Sequence, residues 1–120
     1  MGMLCAQGDI LVERVGDVEI SGRVIECVTR GSAVVAGGEK AGHYHSVIGS
    51  VTLFRDDALA RDIPAGLYTL HLQVHSACAR LQHDEHAPIT LGRGTYRVRR
   101  QRQLESTDTG FYEQYGVLED

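Results

Sequence analysis

Leu67-Tyr68-Thr69-Leu70-His71-Leu72-Gln73-Val74-His75 alternates apolar and polar side chains along its whole length. A β-strand sends successive side chains to opposite faces, so Tyr68, Leu70, Leu72 and Val74 share one face while Thr69, His71, Gln73 and His75 share the other. The first face belongs to a core, and the second, histidines included, is expected to meet solvent. Reading outward toward the C-terminus, residues 78–82 form a second strand that pairs antiparallel with this one through a connection near His75-Ser76-Ala77. Residues 89–91 follow, then the turn Gly92-Arg93-Gly94 and a long strand over 95–104 with Tyr96 and Val98 inward.

Toward the N-terminus the same signature recurs at 9–13, 23–28, 33–36, 43–48 and 51–55, rich in Val, Ile, Leu, Tyr and Thr. Gly49-Ser50 between the last two suits a hairpin turn. No stretch of helical length repeats apolar residues at i, i+3, i+4 and i+7, and only residues 56–62 suit a helical turn, with a solvated loop as the alternative. The expectation is an all-β fold of roughly eight to ten short strands, a small barrel or sandwich of the cupin-like or jelly-roll type.

The chain has 120 residues, 42% apolar and 23% charged, which bounds it to one soluble domain over 1–120, with a less ordered tail from about residue 105. It has no apolar run long enough for a membrane span, and its N-terminus lacks the basic-then-apolar pattern of a secretory signal, so a cytoplasmic location is expected. A net charge of −4 weighs against non-specific nucleic-acid binding. Cys5, Cys27 and Cys78 are odd in number and far apart, which suits neither a disulfide framework nor a thiolate zinc site. Cys27 or Cys78 beside a histidine would make a nucleophile, but no signature supports it.

Chemistry concentrates in His43-Tyr44-His45 and His83-Asp84-Glu85-His86. Residues at i and i+2 of a strand face the same way, so His43 and His45 can offer both imidazoles to one ion, and His83 and His86, three apart in a loop, can converge on it. Glu39, Asp84 and Glu85 would serve as second-shell groups or extra ligands, with Glu39 and Glu85 the candidate catalytic carboxylates. Imidazoles with carboxylates suit Zn²⁺, Ni²⁺, Mn²⁺ or Fe²⁺, and an ion with an open position could support hydrolysis or isomerisation of a small polar substrate. Structural histidines braced by Asp84 and Glu85, or a metal-free acid/base pair, stay open as alternatives. No nucleophile elbow, phosphate loop or dinucleotide fingerprint is present.

Arg93, Arg97, Arg99, Arg100 and Arg102 crowd one stretch. Such charge suits an edge strand protected against aggregation, and Arg97, Arg99 and Arg102 are the alternative anion-binding set. A non-enzymatic binding or assembly module, with structural histidines and this basic strand, is the competing function. A homo-oligomer is compatible with both.

Gly38 followed by His43-Tyr44-His45 resembles the first cupin motif, which implies a His-x-His metal pair on a barrel strand; the glutamate of that motif has no counterpart in residues 46–51. Across more of the chain, Gln7-Gly8-Asp9-Ile10-Leu11, Gly38-Glu39-Lys40-Ala41-Gly42-His43-Tyr44-His45, His83-Asp84-Glu85-His86-Ala87-Pro88-Ile89-Thr90-Leu91, Gly94-Thr95-Tyr96-Arg97-Val98 and Gln101-Arg102 resemble a group of small uncharacterised bacterial and phage proteins. That resemblance implies that the two histidine clusters belong to one feature.

Overall fold

A computed structural model describes residues 4–37, 42–64 and 66–101. Six strands, β1 (Leu4–Gln7), β2 (Ile10–Gly16), β3 (Arg23–Gly37), β4 (Tyr44–Arg55), β5 (Tyr68–His83) and β6 (His86–Arg100), are joined by one 3₁₀ turn at Asp57–Ala60. All pair antiparallel in a single sheet ordered β1-β2-β6-β5-β4-β3. The fold is all-β, as the alternation implies. The sheet curls around its core in a sandwich-like way and leaves the barrel open, with β1 and β3 at its two edges. No helix among the described residues is long and apolar enough to cross a membrane.

The strands are fewer and longer than expected, with β3 to β6 running for 15, 12, 16 and 15 residues. Each segment anticipated as a turn inside them is a bulge instead. Register shifts fall between Val28 and Gly31, between Ile48 and Val51, and between Val74 and Cys78, while Gly94 and Gly92 lie opposite the last two. A bulge adds a residue to one strand, bends it and sharpens its twist. Because the irregularities lie side by side on neighbouring strands, the sheet bends along one line. Gly49 shows why the hairpin expectation fails: its φ of +150° belongs to a bulge, and a bulge calls for glycine just as a tight turn does. Composition alone does not separate the two.

Inside the curl, Ile10, Val12, Val47, Val51, Leu53, Leu72, Val74, Leu81, Leu91, Tyr96 and Val98 are almost completely buried. Each large aliphatic side chain removed from water contributes about 1.5–3 kcal/mol. Leu70, Leu72 and Val74 take the inward face read from their alternation, but a bulge at Thr69 turns Tyr68 to the other side, where its hydroxyl meets Nδ1 of His71 at 2.5 Å.

The outer face is not simply wet. The segment after β4 folds over it, burying Phe54, Ala60, Ile63 and, contrary to expectation, His71. The His71 ring stacks on Phe54 at 5.3 Å, and its Nε2 has no hydrogen-bond partner among the described residues. His75 is exposed, as expected. Asp56 caps the 3₁₀ turn through the backbone N–H groups of Ala58 and Leu59 and accepts a hydrogen bond from Ser21.

Arg97 holds this cover down. Its guanidinium donates to Glu13 Oε1 at 2.6 Å, Asp62 Oδ1 at 2.6 Å and the Leu59 carbonyl at 3.1 Å. The edge-strand reading of the arginines is therefore corrected: β6 lies between β2 and β5, and Arg97 is a cross-strand clasp opposite Glu13.

A Cβ on Gly49 would stand 2.9 Å from that of Ala79, in a backbone conformation that L side chains rarely adopt. Gly49→Ala should therefore lose about 1–3 kcal/mol in urea unfolding, seen as a lower midpoint at unchanged slope. Burial pushes the pKa of His71 below its ordinary 6.5, against a partial pull upward from Asp56. The folded state thus binds this proton less readily than the unfolded one, so stability is intact above about pH 6.5 and declines as the pH falls below it. Thermal unfolding between about pH 7.5 and 5.5 should show that decline, and His71→Asn should shrink it.

Candidate metal centre

Three connections meet at one end of the sheet: the β1–β2 turn at Gly8 and Asp9, the approach to β4 at His43, and the two-residue β5–β6 turn Asp84-Glu85. The last residues of β6 lock against them. Gln101 donates from its backbone to the Asp9 carbonyl at 2.8 Å and from its side chain to the Gly8 carbonyl at 2.7 Å. Arg100 pairs with the Asp9 carboxylate and donates to the Gly37 carbonyl.

Gln7 organises what lies beneath. Its Nε2 donates to the carbonyls of Leu81 and Ala87, both at 3.0 Å, which leaves Oε1 to accept from Nδ1 of His45 at 2.9 Å. His45 therefore carries a proton on Nδ1. Its Nε2 lies 2.9 Å from Asp9 Oδ1, and two lone pairs do not approach so closely without a proton between them. Burial pushes His45 below the ordinary histidine range, and its hydrogen bond to the Asp9 carboxylate pulls it back.

The family resemblance implies that the two clusters belong to one feature, and the four rings lie near one another. His83 lies with its ring centroid 4.4 Å from His45, 4.8 Å from His86 and 6.1 Å from His43. Nδ1 of His83 accepts the Glu85 backbone N–H at 3.0 Å, so that ring carries its hydrogen on Nε2 when neutral. The β1–β2 turn presses closely on His86: a Cβ on Gly8, whose φ is +59°, would stand 2.6 Å from its Nε2.

Their roles differ from the expected equal set of four. His45 is fully buried with both nitrogens engaged, so coordinating an ion would cost it Gln7 or Asp9. His43 instead stands at the rim, its Nδ1 2.6 Å from Asp84 Oδ2. His43, Asp84 and Glu85 each present a donor atom within 4.8 Å of the others. The His43 imidazole holds the Asp84 carboxyl below the usual carboxylate range. Asp84 and Glu85, anticipated as supporting groups, thus share the rim with a single histidine.

Glu39 and Arg102 lie outside the described residues. Arg97 is engaged by two carboxylates, and Arg99 donates to the Arg100 carbonyl at 3.4 Å. Gln7 and Asp9 were not singled out as site residues from sequence. Their signal is faint: a polar side chain at the last position of a short strand, followed by Gly-Asp, looks like ordinary turn chemistry.

Replacing Gln7 by Leu removes one acceptor and two donors from a sealed site, leaving His45 Nδ1–H and the carbonyls of Leu81 and Ala87 without their partner. Gln7→Leu should lower unfolding stability by about 2–3 kcal/mol. Backbone amide exchange at the β5–β6 turn should accelerate in that variant.

No curated protein and no solved structure matches the chain. A family described as a domain of unknown function (DUF8820) matches residues 6–101, from β1 to the end of β6. That span takes in Gln7, Asp9, all four clustered histidines, Asp84, Glu85 and Arg100. The chain belongs to the DUF8820 family.

Proposed function

We propose that this domain binds a divalent first-row metal ion at the open end of its sheet, with His43, Asp84 and Glu85 as its protein ligands. The observation that carries the reading is the 4.8 Å convergence of one imidazole and two carboxylates from two separate connections. A nitrogen and oxygen set of this kind suits Zn²⁺, Mn²⁺, Fe²⁺ or Ni²⁺ rather than a thiolate-seeking ion. His83 and His86 stand behind the rim, and the buried His45 with Gln7 and Asp9 holds the end of the sheet in place.

Three protein ligands leave room for solvent, and an ion so held supplies Lewis acidity and an activated water near neutral pH. A groove of about 460 Å³ beside the rim, lined by Ser32, Tyr44, Ser46, Arg80 and Gln82, would receive a small polar substrate for hydrolysis or isomerisation. Glu85, if an ion leaves it uncoordinated, would be the carboxylate that moves a proton.

A second reading, a non-enzymatic assembly module, is favoured by one feature. β3 is an edge strand with Val24 and Ile25 about half exposed, and an open edge of that length invites pairing with another chain. Concentration-dependent association in sedimentation, abolished by a lysine at Ile25, would support it.

The metal reading is tested by calorimetric titration of chelator-treated protein with Zn²⁺ and Mn²⁺. The expected result is a single site per chain, weakened by at least about tenfold in His43→Ala and in Asp84→Asn. His71→Asn, remote from the rim, should bind as the unmodified protein does. Absence of stoichiometric binding, or full affinity in both rim variants, overturns the proposal.

A further inference from the structure

On the outer face of the sheet, beyond the bend at Gly49, three side chains from adjacent strands form a row that the metal reading does not use. Cys27 of β3 pairs in register with Thr52 of β4, and Sγ lies 3.7 Å from Thr52 Oγ1. The same hydroxyl lies 2.8 Å from Nε2 of His75 on β5. Thr52 is nearly buried, whereas Cys27 and His75 at the two ends are exposed.

A threonine hydroxyl carries one proton, so in a chain of this kind it donates to one neighbour and accepts from the other. Two arrangements satisfy the row. In one, the thiol S–H donates to Thr52 and the Thr52 O–H donates to His75. In the other, both protons have moved one place along, leaving a thiolate that accepts from Thr52 and an imidazolium that donates to it. The thiolate is the nucleophilic form of cysteine, and an imidazole that receives its proton is the usual means of generating it.

We infer that Cys27 is a covalent-modification site for soft carbon electrophiles, activated by His75 through the Thr52 hydroxyl. When Sγ attacks the methylene carbon of iodoacetamide, the S–C bond forms as the C–I bond breaks, and iodide leaves with the bonding electrons. The thiol proton passes to Thr52 Oγ1 as the Thr52 proton passes to His75 Nε2, and His75 later returns its proton to water.

The molecule supplies its own controls. Cys78 is exposed like Cys27, but its thiol meets no hydroxyl or imidazole among the described residues, its recorded hydrogen bond running from the Ser76 hydroxyl to its backbone carbonyl, and Cys5 is half-buried, with burial pushing its thiol pKa up. The experiment treats the full chain with limiting iodoacetamide at about pH 7 and follows each cysteine by peptide mass spectrometry. Cys27 should react on the order of tenfold faster than Cys78, and Cys5 slowest. His75→Gln and Thr52→Val should each bring Cys27 down to the rate of Cys78, while Thr52→Ser, which keeps the hydroxyl, should retain the difference. His75 is exposed, so its substitution tests the relay without opening the core. Equal rates at Cys27 and Cys78 in the unmodified protein, or an undiminished Cys27 rate in His75→Gln, overturns the inference.

Discussion

The carboxamide of Gln7 is the joint that ties one edge of this open sheet to its inner strands. Its two donors reach β5 and β6 and its acceptor reaches β4, so one side chain on the short edge strand is bonded to three other strands. A buried amide is costly unless every group is satisfied, and here each bond also fixes the orientation of the others. The amide cannot flip without setting donor against donor. That constraint keeps a proton on Nδ1 of His45 and turns its Nε2 toward Asp9. The rim histidine and carboxylates rest on this base.

A second constraint acts on the opposite surface. The outer face of a curled antiparallel sheet can remain wet, but Phe54 and His71 are apolar enough in sum to be covered. Arg97 makes the cover durable by joining two carboxylates, one on β2 and one in the segment that lies across the sheet. The ion pairs are only partly exposed, so they hold their geometry better than an isolated surface pair would.

Sequence alone conveyed the all-β class because strict alternation over residues 67–75 admits no helical reading. Spacing joins His43 to His45 and His83 to His86, since i and i+2 on a strand and i and i+3 across a turn both bring side chains together, but that the two pairs lie side by side is seen only in the fold. It did not convey the number of strands. Glycine with positive φ serves a reversal and a bulge alike, and only pairing across the sheet decides between them, as at Gly49. Nor could it rank the histidines. Whether an imidazole is a ligand or a buried hydrogen-bond donor depends on partners far away in the chain, and Gln7 lies 38 residues from His45. His71 was misjudged for a similar reason: alternation says which face a side chain takes, not what later folds over it.

The contacts that build the rim are among the most remote in sequence that the molecule possesses. Gln7 reaches Leu81 across 74 residues, and Asp9 reaches Arg100 across 91. Such contacts require closing long loops before they return any stabilisation, so they come late as a chain organises. During synthesis the β3–β4–β5 meander can pair as it emerges, whereas the brace that Gln7 and Asp9 form beneath the rim has to wait for the last strand. That brace is therefore set last, on a sheet whose central strands already stand.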